Sequence, residues 1–162
     1  MDRSRVPGPG PGTDVHNLRP ADAEQNTARL NKKFTEGSGN PGIVSSNGGW
    51  YPGDEWKGDV ARMMMYMYLR YPTQCLATNV GSGPTTYNAD MPDIFIEWNE
   101  EDPVSIFEIN RNNEIYNIQG NRNPFIDNPY LATVIWGGPI AQNRWPTIFL
   151  ETSTFNLAND VS

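Results

Sequence analysis

The densest concentration of side chains able to do chemistry lies in residues 13–31, TDVHNLRPADAEQNTARLN. It holds the chain's single histidine, His16, together with Asp14, Asn17, Arg19, Asn26 and Arg29. A histidine can take a proton from water near neutral pH. An amide or carboxylate oxygen can hold a hard divalent cation, and an arginine can offer a fork of donors to a phosphate. Whether these groups act together depends on the elements that carry them.

Residues 14–18 mix polar and apolar types in imperfect alternation, which predicts a short strand with Val15 and Leu18 toward a core and His16 and Asn17 at its edge. Pro20 disfavours helical geometry at Arg19, and Asp22 is placed to cap a helix that follows. On that helix Asn26 and Arg29 are three apart and share a face. The order is strand, turn, helix, with an amide oxygen and a cation near the end of the histidine strand.

The rest of the chain predicts the scaffold. Residues 34–53 read as loop, with Trp50 and Tyr51 folding back as a hydrophobic cover. Asp54 or Glu55 opens a helix, WKGDVARMMMYMYLRY, that is apolar on nearly every face through Val60, Met63, Met64, Met67 and Leu69. It is the expected central buried helix. The methionines are read as flexible core filler, and Arg62 and Arg70 as partners of carboxylates such as Asp59. Pro72 ends it, residues 73–90 form a second long loop, and a helix over 92–101 carries Ile94, Phe95 and Trp98 as its apolar stripe. Asp102 and Pro103 open the next helix, over 103–118. Asn128 and Pro129 begin a last one, anchored by Leu131, Val134 and Ile135 and stopped at Gly137 and Gly138. Residues 146–151 read as a strand in an otherwise polar tail.

Arg111 is the anomaly of the 103–118 helix, because it occupies the apolar stripe formed by Val104, Phe107, Ile115 and Ile118. Two readings stand: an ion pair with Glu108 or Glu114, or a contact to a phosphate at the core edge. The amide-rich loop QGNRNPFID that follows could turn backbone amides and Arg122 toward an anion, or could be a knot in which Asn121 and Asn123 satisfy buried backbone groups.

The run DVHNLRPAD, followed by Asn26, Arg29 and Asn31, resembles the second strand and helix of bacterial endonuclease I proteins, which are ββα-metal nucleases. WKGDVARMMMYMYLRY, then EDPVS with Glu108 and Arg111, then QGNRNPFIDNP and Trp136 follow in that family's order and approximate spacing. The resemblance implies an α+β, helix-dominated single domain over residues 13–138 with a ββα-metal-like strand–helix element. A Pro/Gly-rich disordered tail (1–12) precedes it and a C-terminal extension (139–162) follows it. It implies a metal-dependent, largely sequence-nonspecific endonuclease acting on DNA, with RNA as a further substrate, secreted or periplasmic. The cofactor is Mg²⁺, with Mn²⁺ or Ca²⁺ as substitutes. Asn26 matches the helix asparagine that binds the metal. Arg29, Arg111 and Arg122 are phosphate-contact candidates, with Arg29 also a catalytic candidate, and Asp14, Asn17, Gln119 and Asn121 support the site.

The family's general-base histidine and an acidic metal ligand lie in an upstream strand with a Glu-His pair, and no such pair occurs in this sequence. His16 is therefore expected to tie strand to helix by hydrogen bonds, with a general-base role as the alternative. The corresponding alternative for the whole chain is a truncated or catalytically inactive nucleic-acid-binding relative. A third reading, an extracellular structural or carbohydrate-binding module, requires Trp50, Tyr51 and Trp145 to form one solvent-facing platform. Without a first strand, residues 15–18 are expected to present a partly exposed edge.

Composition sets the limits. At 162 residues the chain fits one domain. Twelve basic against 19 acidic residues give a net charge of −7, which argues against a general polyanion-binding surface and confines any nucleic-acid contact to a local cleft. One cysteine excludes an intrachain disulfide framework and a multi-cysteine zinc site. No apolar run is long enough to span a membrane, so no membrane partner is expected, and the start carries no leader pattern.

Overall fold

The computed structural model describes residues 10–145. It is an α+β domain in which helices surround one long helix and the only regular sheet among the described residues has two short strands. In chain order the elements are α1 (Ala23–Arg29), β1 (Gly42–Ile43), β2 (Trp50–Tyr51), α2 (Lys57–Arg70), α3 (Ala77–Val80), α4 (Asp93–Glu101), α5 (Ile106–Gln119), α6 (Pro124–Asp127) and α7 (Tyr130–Trp136). Strands β1 and β2 pair antiparallel, Gly42 with Tyr51 and Ile43 with Trp50. None of the described helices is long and apolar enough to cross a membrane.

The centre is α2, as its composition predicts. Ala61, Met65, Tyr66 and Met67 are buried and pack with Phe95 and Trp98 of α4. Leu69 is an exception: it is largely exposed near the helix end, and Met65 and Tyr66 take the core positions. Gly58 allows the first turn of α2 to approach the corner after α4, since a Cβ there would lie 2.3 Å from the Asp102 carbonyl oxygen. The Gly58 amide donates to the Asp102 carboxylate at 2.8 Å.

Helix α5 starts later than the Asp-Pro pair suggests. Ser105 caps it by accepting from the Glu108 amide, and Glu108 reaches back to the Ser105 amide, a reciprocal capping box. Glu108 also takes a two-pronged contact from Arg62 of α2, with both nitrogen–oxygen distances 2.7 Å. Arg62 is fully buried, so this pair locks α5 onto α2, and Asp59, its expected partner, lies farther off at 3.7 Å. The helix ends at Gly120, whose φ of +83° turns the chain back toward α2.

Several expectations are corrected. Residues 15–18 are not a strand: Val15–Asn17 form a single 3₁₀ turn capped by Asp14, so no unpaired strand edge arises there. A five-residue alternation is too short to define a strand without a neighbour to pair with, and the local Asp14 cap decides the geometry. Pro11 and Gly12, read as the end of the tail, form a second 3₁₀ turn with Thr13. Trp50 and Tyr51 are buried in β2 while Trp145 is exposed, which removes the aromatic platform. In α7 the anchors are Ala132 and Trp136, with Val134 and Ile135 facing outward. The strand expected over 146–151 lies outside the described residues.

Candidate active site

The site is built on the segment joining the 3₁₀ turn to α1. Asp14, His16, Gln119 and Asn121 meet there, without Asn17, and the structure adds Tyr66, Arg70 and Tyr71 from the C-terminal half of α2 and its end. Asp14 is buried, and five donors surround its carboxylate. Oδ1 accepts from the His16 amide and from Gln119 Nε2, each at 3.0 Å. Oδ2 accepts from Tyr66 at 2.8 Å and Tyr71 at 3.0 Å, with Arg70 Nε at 3.1 Å. A carboxylate offers about four lone-pair positions, so Asp14 is saturated.

The network closes on itself. Gln119 Oε1 accepts from the Val15 amide at 2.8 Å, and its amide nitrogen also donates to Asn121 Oδ1 at 2.7 Å. Asn121 Nδ2 in turn donates to the Tyr66 hydroxyl at 2.6 Å. Burial alone would raise the Asp14 carboxyl, but the hydrogen bonds from Gln119, Tyr66, the His16 amide and Tyr71 outweigh it and hold it below the ordinary value. Tyr66 is pushed up to about 12 by burial and by Asp14, so it remains a hydroxyl donor at neutral pH.

His16 is completely buried. Its Nε2 faces the Asn121 carbonyl oxygen at 3.2 Å, which assigns the proton to that nitrogen, since a carbonyl only accepts. Its ring leans on Tyr66, centroid to centroid 4.5 Å. Burial lowers its pKa against the opposing pull of Asn121 and Asp14, keeping the ring neutral near pH 7. The general-base alternative for His16 thus meets a ring that touches no solvent. Its position is that of a strut, which ties the 3₁₀ turn to the loop after α5 rather than a strand to a helix.

Arg111 makes no ion pair with Glu108 or Glu114 among the described residues. Its Nη2 donates to the carbonyl oxygens of Val15 at 3.0 Å and His16 at 3.4 Å, and also to that of Leu18. Asp14 and Gln119 therefore hold the amides of the turn while Arg111 holds its carbonyls. Arg122 is likewise engaged, forked onto Asp127 at 2.7 and 2.8 Å and bonded to Asn113 at 2.9 Å. Asn123, read as part of a structural knot, is one: it bonds the Arg62 carbonyl, the Phe125 amide and Asn112.

Beyond this buttress α1 stands at the surface. Asp22 caps it by accepting from the Glu24 and Gln25 amides, as predicted. Asn26 is exposed, as is Asn17, whose side chain reaches only the Pro11 carbonyl at 3.5 Å. The Arg29 guanidinium lies 4.4 Å above the Phe34 ring, and its Nε is buried without a hydrogen-bond partner. Asn26 and Arg29 are thus set apart from the buried cluster. At the helix end Leu30 has φ +48°, a conformation that bulky side chains seldom adopt.

Among the described residues no three His, Cys, Asp or Glu side chains converge to hold a metal. Asn26, exposed on α1, has an amide oxygen free among the described residues, and Asp14 has none to spare. Mg²⁺ requires a near-octahedral oxygen shell, usually with one or two carboxylates. The described residues therefore do not fit a complete cation site.

Tyr66, Arg70 and Tyr71 were missed as members of the cluster. Their signal is weak but present: Tyr66 and Arg70, four apart, put polar tips on one face of a methionine-filled helix, and such tips need partners.

A family model described as Endonuclease I matches residues 4–130. Two extracellular ribonucleases, from Bacillus amyloliquefaciens and Bacillus subtilis (strain 168), are 44% and 45% identical over 138 residues, covering 78% of this chain and 47% and 48% of theirs. An extracellular deoxyribonuclease of Aeromonas hydrophila is 31% identical over 123 residues, 70% of this chain and 49% of its own. The chain spans about half the length of the curated relatives it matches.

Proposed function

This chain belongs to the endonuclease I family, and we propose that it serves the hydrolysis of phosphodiester bonds in nucleic acid, outside the cytoplasm, with little sequence preference. The observation that carries this reading is the placement of Asn26. It sits exposed on a helix whose approach is clamped by Asp14, Gln119 and Arg111, so an amide oxygen is held out to solvent on a rigid base. Rigid support of a group that touches substrate or cation is what precise positioning needs. Both RNA and DNA are proposed as substrates. The relatives named ribonucleases stand at 44% and 45% identity and the deoxyribonuclease at 31%, which supports testing RNA with equal weight.

A divalent cation, Mg²⁺ or in its place Mn²⁺ or Ca²⁺, completes the proposal, with Asn26 as one ligand. When bound, such an ion would stabilise charge on the phosphate. Since the described residues do not complete its shell, no step is assigned through it. The roles proposed for this chain's residues are narrower. Arg29 meets a phosphate with the terminal nitrogens of its guanidinium, since its Nε is buried. His16, Asp14, Gln119 and Asn121 position the helix, and Arg111 and Arg122 contribute positive charge behind their internal bonds.

A second reading has its own observation. The sole histidine is buried and no three His, Cys, Asp or Glu side chains converge among the described residues, which favours a chain that binds nucleic acid without cutting it. Cleavage of supercoiled plasmid and of a long RNA, with Mg²⁺ and with chelator, decides between them. Under the first reading both substrates are cut, and chelation or Asn26→Ala abolishes cutting. Intact substrates that are nonetheless retarded in a gel would establish the second.

A further inference from the structure

Between the His16 turn and α3 lies a hollow of about 160 Å³. Met64, Met67 and Val80 contribute its apolar surface, and Asn17, Gln74 and Asn79 contribute carboxamides. Gln74 and Asn79 are exposed and use only their backbone amides in hydrogen bonds among the described residues. An enclosed apolar cavity of about 150 Å³ accepts a benzene-sized ring. The polarizable thioethers suit the face of a flat π system, and each carboxamide offers a donor and an acceptor side by side. An aliphatic side chain would leave all three amides unanswered.

The hollow is bracketed by the two ends of the α1 segment. Asn17 adjoins His16 on one side. On the other, the Val80 carbonyl accepts from the Phe34 amide at 2.7 Å, and Arg29, with its orphaned Nε, lies on the Phe34 ring. An apolar seat with hydrogen-bonding edges therefore stands one residue, Phe34, away from the Arg29 guanidinium.

We propose that this hollow is a nucleobase subsite. It takes one unstacked base of a single-stranded segment, with the ring face on Met64 and Met67, the hydrogen-bonding edge at Gln74 and Asn79, and the adjoining phosphate at Arg29. Splayed bases read by side-chain amides and seated on flat surfaces are the general mode of single-strand recognition. The subsite rests on the nucleic-acid reading above but does not require that cleavage occur.

The test uses the full chain with ¹³C-methyl methionine, titrated with the four nucleoside 5′-monophosphates, ribose 5-phosphate and inorganic phosphate. The expected result is a saturable upfield shift of the Met64 and Met67 methyls with the nucleotides and none with the other two. Gln74→Ala and Asn79→Ala should each weaken the preferred nucleotide by roughly 5- to 100-fold. The fully buried Met65 methyl reports that the fold is intact. Methyls that stay fixed, that respond equally to phosphate, or that respond unchanged in both variants would overturn the subsite. A chain that cuts plasmid yet shows no methyl shift retains the nuclease reading and loses this one. An inert chain with the shift does the reverse.

Discussion

The Tyr66 hydroxyl donates to the Asp14 carboxylate over 2.8 Å, joining residues 52 positions apart. Through this bond the central helix fixes the start of the arm that carries Asn26. The same hydroxyl accepts from Asn121, so one atom joins α2, the turn and the loop after α5.

Tyr66→Phe removes a donor from a buried carboxylate and an acceptor from Asn121, and should cost about 1–3 kcal/mol. Asp14→Ala removes the shared acceptor of five donors and should cost more, about 3–5 kcal/mol. Because both act on one network, the double variant should cost clearly less than the sum. Urea denaturation of the four proteins measures this, and strict additivity would mean that the two groups do not share a network.

His16 and Asn26 should separate cleanly in stability. Deleting the fully buried ring in His16→Ala is expected to cost about 2–4 kcal/mol. Asn26→Ala, at an exposed position, should stay within about 0.5 kcal/mol of the parent. Equal stabilities in thermal melts would show that His16 is not a strut.

Asp59 gives a pH dependence opposite to that of Asp14. Burial, then Glu108 beside it, raises Asp59 to about 7, although Arg19 Nη1 lies 2.8 Å from its Oδ2. That contact is close enough for charge but not aligned as a hydrogen bond, since Oδ2 has no bonded donor. The folded state thus holds a proton that the unfolded chain releases near pH 4. The associated stability is complete below that value and is lost as pH rises toward 7. Asp14 contributes in the other direction, with stability present above about pH 4 and lost below it, because its folded value is lowered. Asp59→Asn should flatten the decline between pH 4 and 7 and leave the acid limb intact. An unchanged profile between pH 4 and 7 would exclude Asp59 as its source.

Leu30→Gly should stabilise the fold by about 1 kcal/mol. Its φ of +48° is disfavoured for a branched side chain, and the side chain itself is mostly exposed. Denaturant midpoints test this, and a loss of stability would show that the Leu30 side chain contributes more than the backbone strain costs.

Asp22 as a cap, the methionine-rich central helix and the apolar stripe of Ile94, Phe95 and Trp98 were legible in the sequence, because capping and periodicity are local properties. The start of α5 was legible too, in Ser105 and Glu108, but the neighbouring Asp102 and Pro103 carry a competing start signal. The apolar stripe read around Arg111 is not the buried face of α5, because Phe107 and Ile118 are exposed while Glu108, Asn112 and Ile115 are buried.

What tertiary structure alone decided is where the long polar side chains end. Arg111 could have met a carboxylate or a phosphate, and it meets three carbonyls from a turn more than 90 residues away in the chain. His16 could have faced water, and packing places it against Tyr66 and the Asn121 carbonyl. The reason is physical. Capping and hydrophobic period are set by neighbours within a few residues, whereas a buried donor or acceptor takes whichever partner the packed core brings within about 3 Å. The sequence by itself determined which residues could do chemistry and which helices would carry them; the packing of α2 and α5 around the turn separated the struts from the groups left facing solvent.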